Sequence, residues 1–231
     1  YLHGGFRPYA ATFMVFTDYM RGSMRLAALM GLPIVYVMTH DSIYVGEDGP
    51  THQPVEHYAA LRAIPNMNFI RPGDAEETGE AWLAALERAE GPTVLSLTRQ
   101  KLPVYEKADP NWRENYRRGA YVVRDTGGTP DVVVVATGSE VSLALQAAEK
   151  SSKNVRVVSV IDKRGLDCME PEKKKELIPK GTRVVVAEAG ISGDWGVYVD
   201  DPGDLFTVNR FGESGPGNEV AEHIGFTADA L

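Results

Sequence analysis

The feature that most restricts the fold of this chain is a pair of apolar runs without polar alternation, IVYVM at 34–38 and DVVVVA at 131–136. A strand with one face in water alternates apolar and polar side chains, whereas a run that does not alternate must be covered on both faces. A parallel sheet meets that condition, because each parallel connection crosses over and lays a helix on the sheet.

The flanking segments supply such crossovers. Strands are expected at 9–13, 34–38, 68–70, 93–98, 131–136, 155–160 and 183–187, with helices at 17–30, 55–64, 75–89 and 141–150. Gly31-Leu32-Pro33 stops the first helix, and Asp74 stands where the third needs its N-cap. Between 101 and 119 the sequence KLPVYEKADPNWRENYRRG carries prolines and mixed charge without an apolar period, as expected of an interdomain connection. The fold class is therefore α/β, with two domains at 1–100 and 120–231, each a mostly parallel sheet flanked by helices. No internal repeat or low-complexity segment is evident.

A chain of 231 residues that is 43% hydrophobic can bury a core in each domain. Its net charge of −8 argues against a nucleic-acid or anionic-membrane surface, so any anion would be held in a local pocket. The single cysteine, Cys168, cannot form an internal disulfide. No apolar run reaches the roughly 20 residues that cross a bilayer. A cytoplasmic, reduced setting is expected. The start LHGGFRPY, after Tyr1, has no signal-peptide pattern, and the chain is expected to begin inside a longer protein.

Directly after the buried run at 34–38, the loop 40–52 sets out His40, Asp41, Glu47, Asp48 and His52. In open parallel sheets ligands gather outside the carboxyl ends of the strands, where this loop belongs. Residue types alone leave two readings open, a polar binding pocket or a hydrogen-bonded surface loop. A metal site is not expected from the two histidines, which lack a cysteine partner and the His-Glu-x-x-His spacing. Gly138-Ser139-Glu140 lacks both phosphate-loop patterns and is expected to cap a helix. Cys168 reads as a small apolar residue and not as a nucleophile.

The loop HDSIYVGEDGPTHQP, flanked in order by LHGGFRPYAATF and LTRQ, resembles that of the transketolases. The similarity continues through GSEVSLALQAAE, VVVAEAG, RFGESGPGNEV and GFTADAL. It implies an incomplete thiamine diphosphate-binding pyrimidine domain followed by a transketolase C-terminal domain. The implied activity moves a two-carbon ketol unit from a ketose phosphate such as xylulose 5-phosphate to an aldose phosphate such as ribose 5-phosphate, in the pentose phosphate pathway.

The resemblance places Phe13, Phe16 and Tyr19 against the aminopyrimidine ring of thiamine diphosphate. It places His40, Asp48 and His52 along the substrate channel, with His52 and His40 as the catalytic candidates. His52 would contact substrate hydroxyls and transfer protons, Asp48 would accept a hydroxyl hydrogen bond, and His40 would lie nearer the phosphate. Arg99 in LTRQ would grip that phosphate through a bidentate pair.

The family's activating glutamate lies upstream of LHGG. Its diphosphate domain, with the ligands for Mg2+ or Ca2+, also lies outside this sequence, so a homodimer of the full-length protein is implied. The C-terminal domain is expected to support that dimer. Two positions depart from the pattern: Tyr44 stands where glycine is usual, and Lys101 where asparagine commonly follows. Three alternatives are a dihydroxyacetone synthase, a deoxyxylulose phosphate synthase, against which His40 speaks, and a non-catalytic homologue or assembly subunit.

Overall fold

In the computed structural model, which describes residues 1–193 and 195–231, the run at 34–38 becomes a central strand of a four-stranded sheet. Strands β1 (Tyr9–Phe13), β2 (Val35–Thr39), β3 (Asn68–Ile70) and β4 (Thr93–Ser96) are all parallel, in the order β1-β2-β4-β3. Helices α1 (Thr17–Leu29), α2 (His57–Arg62) and α3 (Ala75–Glu87) make the crossovers. Tyr36 and Met38 pack with Met14, Met24 and Leu61 in one core, while Val35 and Leu95 pack with Ala81 and Ala85 in another. Both faces are thus covered, as a run without alternation requires. Asp74 caps α3 by accepting a hydrogen bond from the Glu77 backbone N–H at 2.8 Å.

The segment 101–119 contains a helix, α4 (Trp112–Arg117). Its anchors Trp112 and Tyr116 are buried in the core that also holds Val35, Leu95, Val134 and Val157. Two anchors one turn apart are too few to show a period in sequence, which is why the segment reads as irregular.

The second sheet comprises β5 (Ala120–Arg124), β6 (Val132–Ala136), β7 (Val155–Val160), β8 (Arg183–Glu188) and β9 (Leu205–Thr207), in the order β5-β7-β6-β8-β9. Only the edge pair β5 and β7 is antiparallel. Every residue of β6 and β7 is buried. Helices α5 (Glu140–Lys150), α6 (Lys163–Cys168), α7 (Pro171–Leu177) and α8 (Gly217–His223) complete this half. Among the described residues no helix is long and apolar enough to cross a membrane.

The two sheets share a core, and buried polar groups also join them. Arg62 of α2 pairs with Glu188 of β8 through two bonds of 2.8 and 2.7 Å. Glu77 of α3 accepts hydrogen bonds from Tyr121 at 2.6 Å and Ser159 at 3.0 Å. Gly138-Ser139-Glu140 does open α5, but Ser139 makes no capping hydrogen bond there. Its hydroxyl donates to Glu140 at 2.7 Å instead, because this turn faces Arg71 across the domain boundary. Cys168 ends α6 exposed, so it does not serve as core filling.

Candidate functional site

Three neighbouring parallel strands end on one edge of the first sheet, and the candidate residues follow from those ends. Phe13 is the last residue of β1, His40 comes directly after β2, and Arg99 lies three residues beyond β4. At His40 the backbone turns with φ +58°, a left-handed conformation uncommon for a residue with a side chain. The next residue holds the turn: Asp41 is buried and accepts hydrogen bonds from Arg71 Nε at 2.9 Å and Ser96 Oγ at 3.0 Å, while the Tyr58 hydroxyl donates to its carbonyl.

With its backbone so turned, His40 lays its ring on Phe13, centroids 3.7 Å apart and planes 11° from parallel. Phe13 and Phe16 lie 6.1 Å apart and nearly parallel, and Tyr19 follows at 6.0 Å from Phe16. His52, from the far end of the loop, meets Phe16 edge-on at 5.5 Å. Each histidine engages Nδ1 with the hydroxyl of the preceding threonine at 2.9 Å, Thr39 for His40 and Thr51 for His52, which leaves Nε2 for a ligand.

The ionisable groups gather around His40. Burial and the positive charge of Arg99 lower its pKa from the ordinary histidine value, while the carboxylates of Asp48 and Asp41 oppose the shift. Arg99 and Asp48 are both exposed. A neutral imidazole flanked by a guanidinium and a carboxylate can accept a proton, bind an anionic group and orient hydroxyls.

The aromatic surface suits a flat heteroaromatic ring. His40 takes one face of Phe13, while Phe16 is half-buried and Tyr19 is 88% exposed. Such area is costly to leave in water and gains from a planar partner. The described residues place one group close enough to bind a cation, Asp18, Glu56 and His57. Its imidazole lies between two exposed carboxylates, Nε2 at 3.4 Å from Asp18 and Nδ1 at 3.8 Å from Glu56.

Tyr44, the departure inside the loop, packs with its neighbour Ile43 against Val208, Val220 and Phe226 of the second domain. The structure also draws in residues that sequence reasoning passed over. Arg71 and Glu140 lock Asp41 in place, and Gln53 ties the loop to the second domain. No local signal marks them, since each acquires its role from a partner distant in sequence.

The chain is similar to known proteins along its whole length. Residues 1–104 match the family model for the transketolase pyrimidine binding domain, and residues 119–227 match that for the transketolase-like C-terminal domain. A transketolase of Treponema pallidum is 55% identical over 231 residues, covering all of this chain and 35% of the relative. The solved transketolase of Leishmania mexicana superposes with a TM-score of 0.92 at 41% identity, covering 99% of this chain and 33% of that one. A split-gene transketolase described as an inactive β4 tetramer gives a TM-score of 0.71 at 25% identity, covering 98% of this chain and 74% of its own. The two α/β units are thus a transketolase-type pyrimidine binding domain followed by a transketolase-like C-terminal domain. The chain belongs to the transketolase family, and it spans about a third of the length of the curated relatives it matches.

Proposed function

We propose that this chain supplies the pyrimidine side of the cofactor site and one wall of the substrate channel in a thiamine diphosphate-dependent transketolase. The observation that carries the reading is the stack of His40 on Phe13, which puts a candidate substrate group in van der Waals contact with a candidate cofactor group. When bound, thiamine diphosphate supplies the electron sink for making and breaking carbon–carbon bonds next to a carbonyl. The residues of this chain bind, orient and move protons around it.

Phe13, Phe16 and Tyr19 take the aminopyrimidine ring. Arg99 pairs with the sugar phosphate, Asp48 accepts a hydrogen bond from a sugar hydroxyl, and His40 and His52 act through Nε2 on substrate oxygens. The domain that binds the diphosphate, the ligands for Mg2+ or Ca2+ and the activating glutamate belong to a further part of the protein, in a homodimer working in the cytoplasm. The split-gene relative supports this division, since a chain of which this one covers 74% is described as an inactive β4 tetramer.

The test is ketol transfer from xylulose 5-phosphate to ribose 5-phosphate by the full-length protein, with and without thiamine diphosphate and Mg2+. Cofactor-dependent sedoheptulose 7-phosphate is the expected product. Cofactor binding without that product would overturn the assignment and turn attention to free dihydroxyacetone or deoxyxylulose phosphate as products.

A further inference from the structure

The loop 41–53 touches the second domain at both ends, through contacts too specific for simple adjacency. At the first end, Arg71 is fully buried and reaches both ways across the boundary. Its Nε donates to Asp41 at 2.9 Å, and its Nη1 donates to the carbonyl of Thr137 at 2.7 Å and to Glu140. Glu140 is itself held by the backbone N–H of Ala189 at 2.9 Å. Gly138, at φ +53°, is the necessary neighbour, because a Cβ there would lie 2.6 Å from the Arg71 guanidinium carbon.

At the other end, the buried amide of Gln53 donates to the carbonyl of Gly46 in the loop and to that of Glu213 in the second domain, both at 3.0 Å. The same stretch of the second domain is moulded to the loop. A Cβ on Gly49 would meet the Ser214 hydroxyl at 2.1 Å, and one on Gly212 would meet the Gln53 side-chain oxygen at 1.8 Å. Val55 accepts a hydrogen bond from the backbone N–H of Ile191 at 3.0 Å, just beyond the loop.

We propose that the second domain is a positioning element of the sugar-phosphate site. Through Glu140, Arg71 and Asp41 at one end of the loop, and through residues 212–214 against Gln53 and Gly49 at the other, it sets the shape in which the loop presents His40, Asp48 and His52. Glu140, Arg71, Gln53 and Gly212 are positioning residues and touch no substrate. The proposal rests on the functional reading given above, and it assigns the second domain a task at the site itself, separate from any part in assembly.

The test compares Glu140→Gln and Gly212→Ala with Glu77→Gln in the full-length enzyme. Glu77 also bridges the domains but makes no contact with the loop, so it reports a purely structural effect. Small displacements of binding groups are costly, and the first two variants are expected to raise KM for ribose 5-phosphate about tenfold or more. Thiamine diphosphate affinity should fall by less than the sugar KM rises in the same variants, since Phe13, Phe16 and Tyr19 stand outside the loop and meet it only through the rings of His40 and His52.

Glu77→Gln is expected to leave KM unchanged whatever it does to Tm. Amide hydrogen exchange over 40–53 should quicken in Glu140→Gln and Gly212→Ala only. Unchanged KM and exchange in both would overturn the proposal, as would an equal rise in KM for Glu77→Gln. If Glu140→Gln fails to fold, Gly212→Ala carries the test. If the wild type transfers no ketol unit, the functional reading fails, and the exchange arm still decides whether the second domain shapes the loop.

Discussion

The imidazole of His40 rests on the ring of Phe13 at 3.7 Å, so one contact joins the end of β1 to the residue that follows β2. The stack makes the two proposed sites depend on each other. Replacing Phe13 with leucine keeps an apolar side chain but removes the flat partner, a loss of about 0.5–1.5 kcal/mol. Both the affinity for thiamine diphosphate and the KM for ribose 5-phosphate are therefore expected to worsen several-fold. Steady-state kinetics at varied cofactor and varied sugar check this; a change confined to the cofactor would show that the stack carries no coupling.

The charge on His40 should follow its neighbours. Burial first and the Arg99 charge second lower its pKa, so the folded protein disfavours protonation there. The stability linked to this group is present above the ordinary histidine value of about 6.5 and is lost as pH falls through the lower folded value. Arg99→Met removes a lowering influence and should move the titration of His40 to higher pH, whereas Asp48→Asn removes a raising one and should move it lower. NMR titration of labelled histidine reads both directions, and a shift of the same sign in both variants would contradict the arrangement.

Arg99 is expected to recognise phosphate and not the sugar. Charge-assisted hydrogen bonds are worth roughly 1.5–3 kcal/mol, so Arg99→Leu should raise KM for ribose 5-phosphate about tenfold to a hundredfold. KM for unphosphorylated ribose should move little. An equal rise for both acceptors would assign Arg99 a different role.

Across the domain boundary, Arg62 and Glu188 form a two-bond ion pair with the Glu188 side chain only 1% exposed. Burial raises the pKa of Glu188, but the charge and hydrogen bonds of Arg62 outweigh it, and the net direction is down. The pair therefore stabilises the fold above the ordinary glutamate pKa and loses that contribution as pH falls through the lower folded value. Arg62→Ala leaves a buried carboxylate without its partner, a cost of about 3–5 kcal/mol at neutral pH. Urea unfolding at a series of pH values should show the gap from wild type narrowing in acid.

Glu77 should behave in the opposite sense. Burial pushes its pKa up, against hydrogen bonds from Tyr121, the Gly73 backbone and Tyr105. A folded pKa above the unfolded one contributes stability that is fully present below the ordinary glutamate value and is lost as pH rises through the folded value. Glu77→Gln stays neutral, so relative to wild type its stability is expected to improve as pH rises from about 4 toward neutrality. Parallel stability curves would show that the carboxyl does not change charge in that range.

Much of the fold was legible in particular runs of residues. IVYVM and DVVVVA became central strands covered on both faces, and Asp74 became the cap it was expected to be. The turn Gly138-Ser139-Glu140 was read only for its place at a helix start, because the reason for its composition, Arg71, lies in the other domain. Helix α4 went unread for a related reason: Trp112 and Tyr116 are anchors for a shared core, and two anchors make no period.

The sequence by itself determined two mostly parallel sheets, the loop at the strand ends of the first and the family, since these reside in local periodicity and in contiguous residues such as HDSIYVGEDGPTHQ. Tertiary structure alone decided that His40 turns left-handed onto Phe13, that Arg71 reaches Glu140 across 69 positions, and that residues 212–214 close on Gln53. The physical reason is that local preference acts over a few residues. A buried ion pair or a close glycine contact has no energy until the chain has brought its distant halves together.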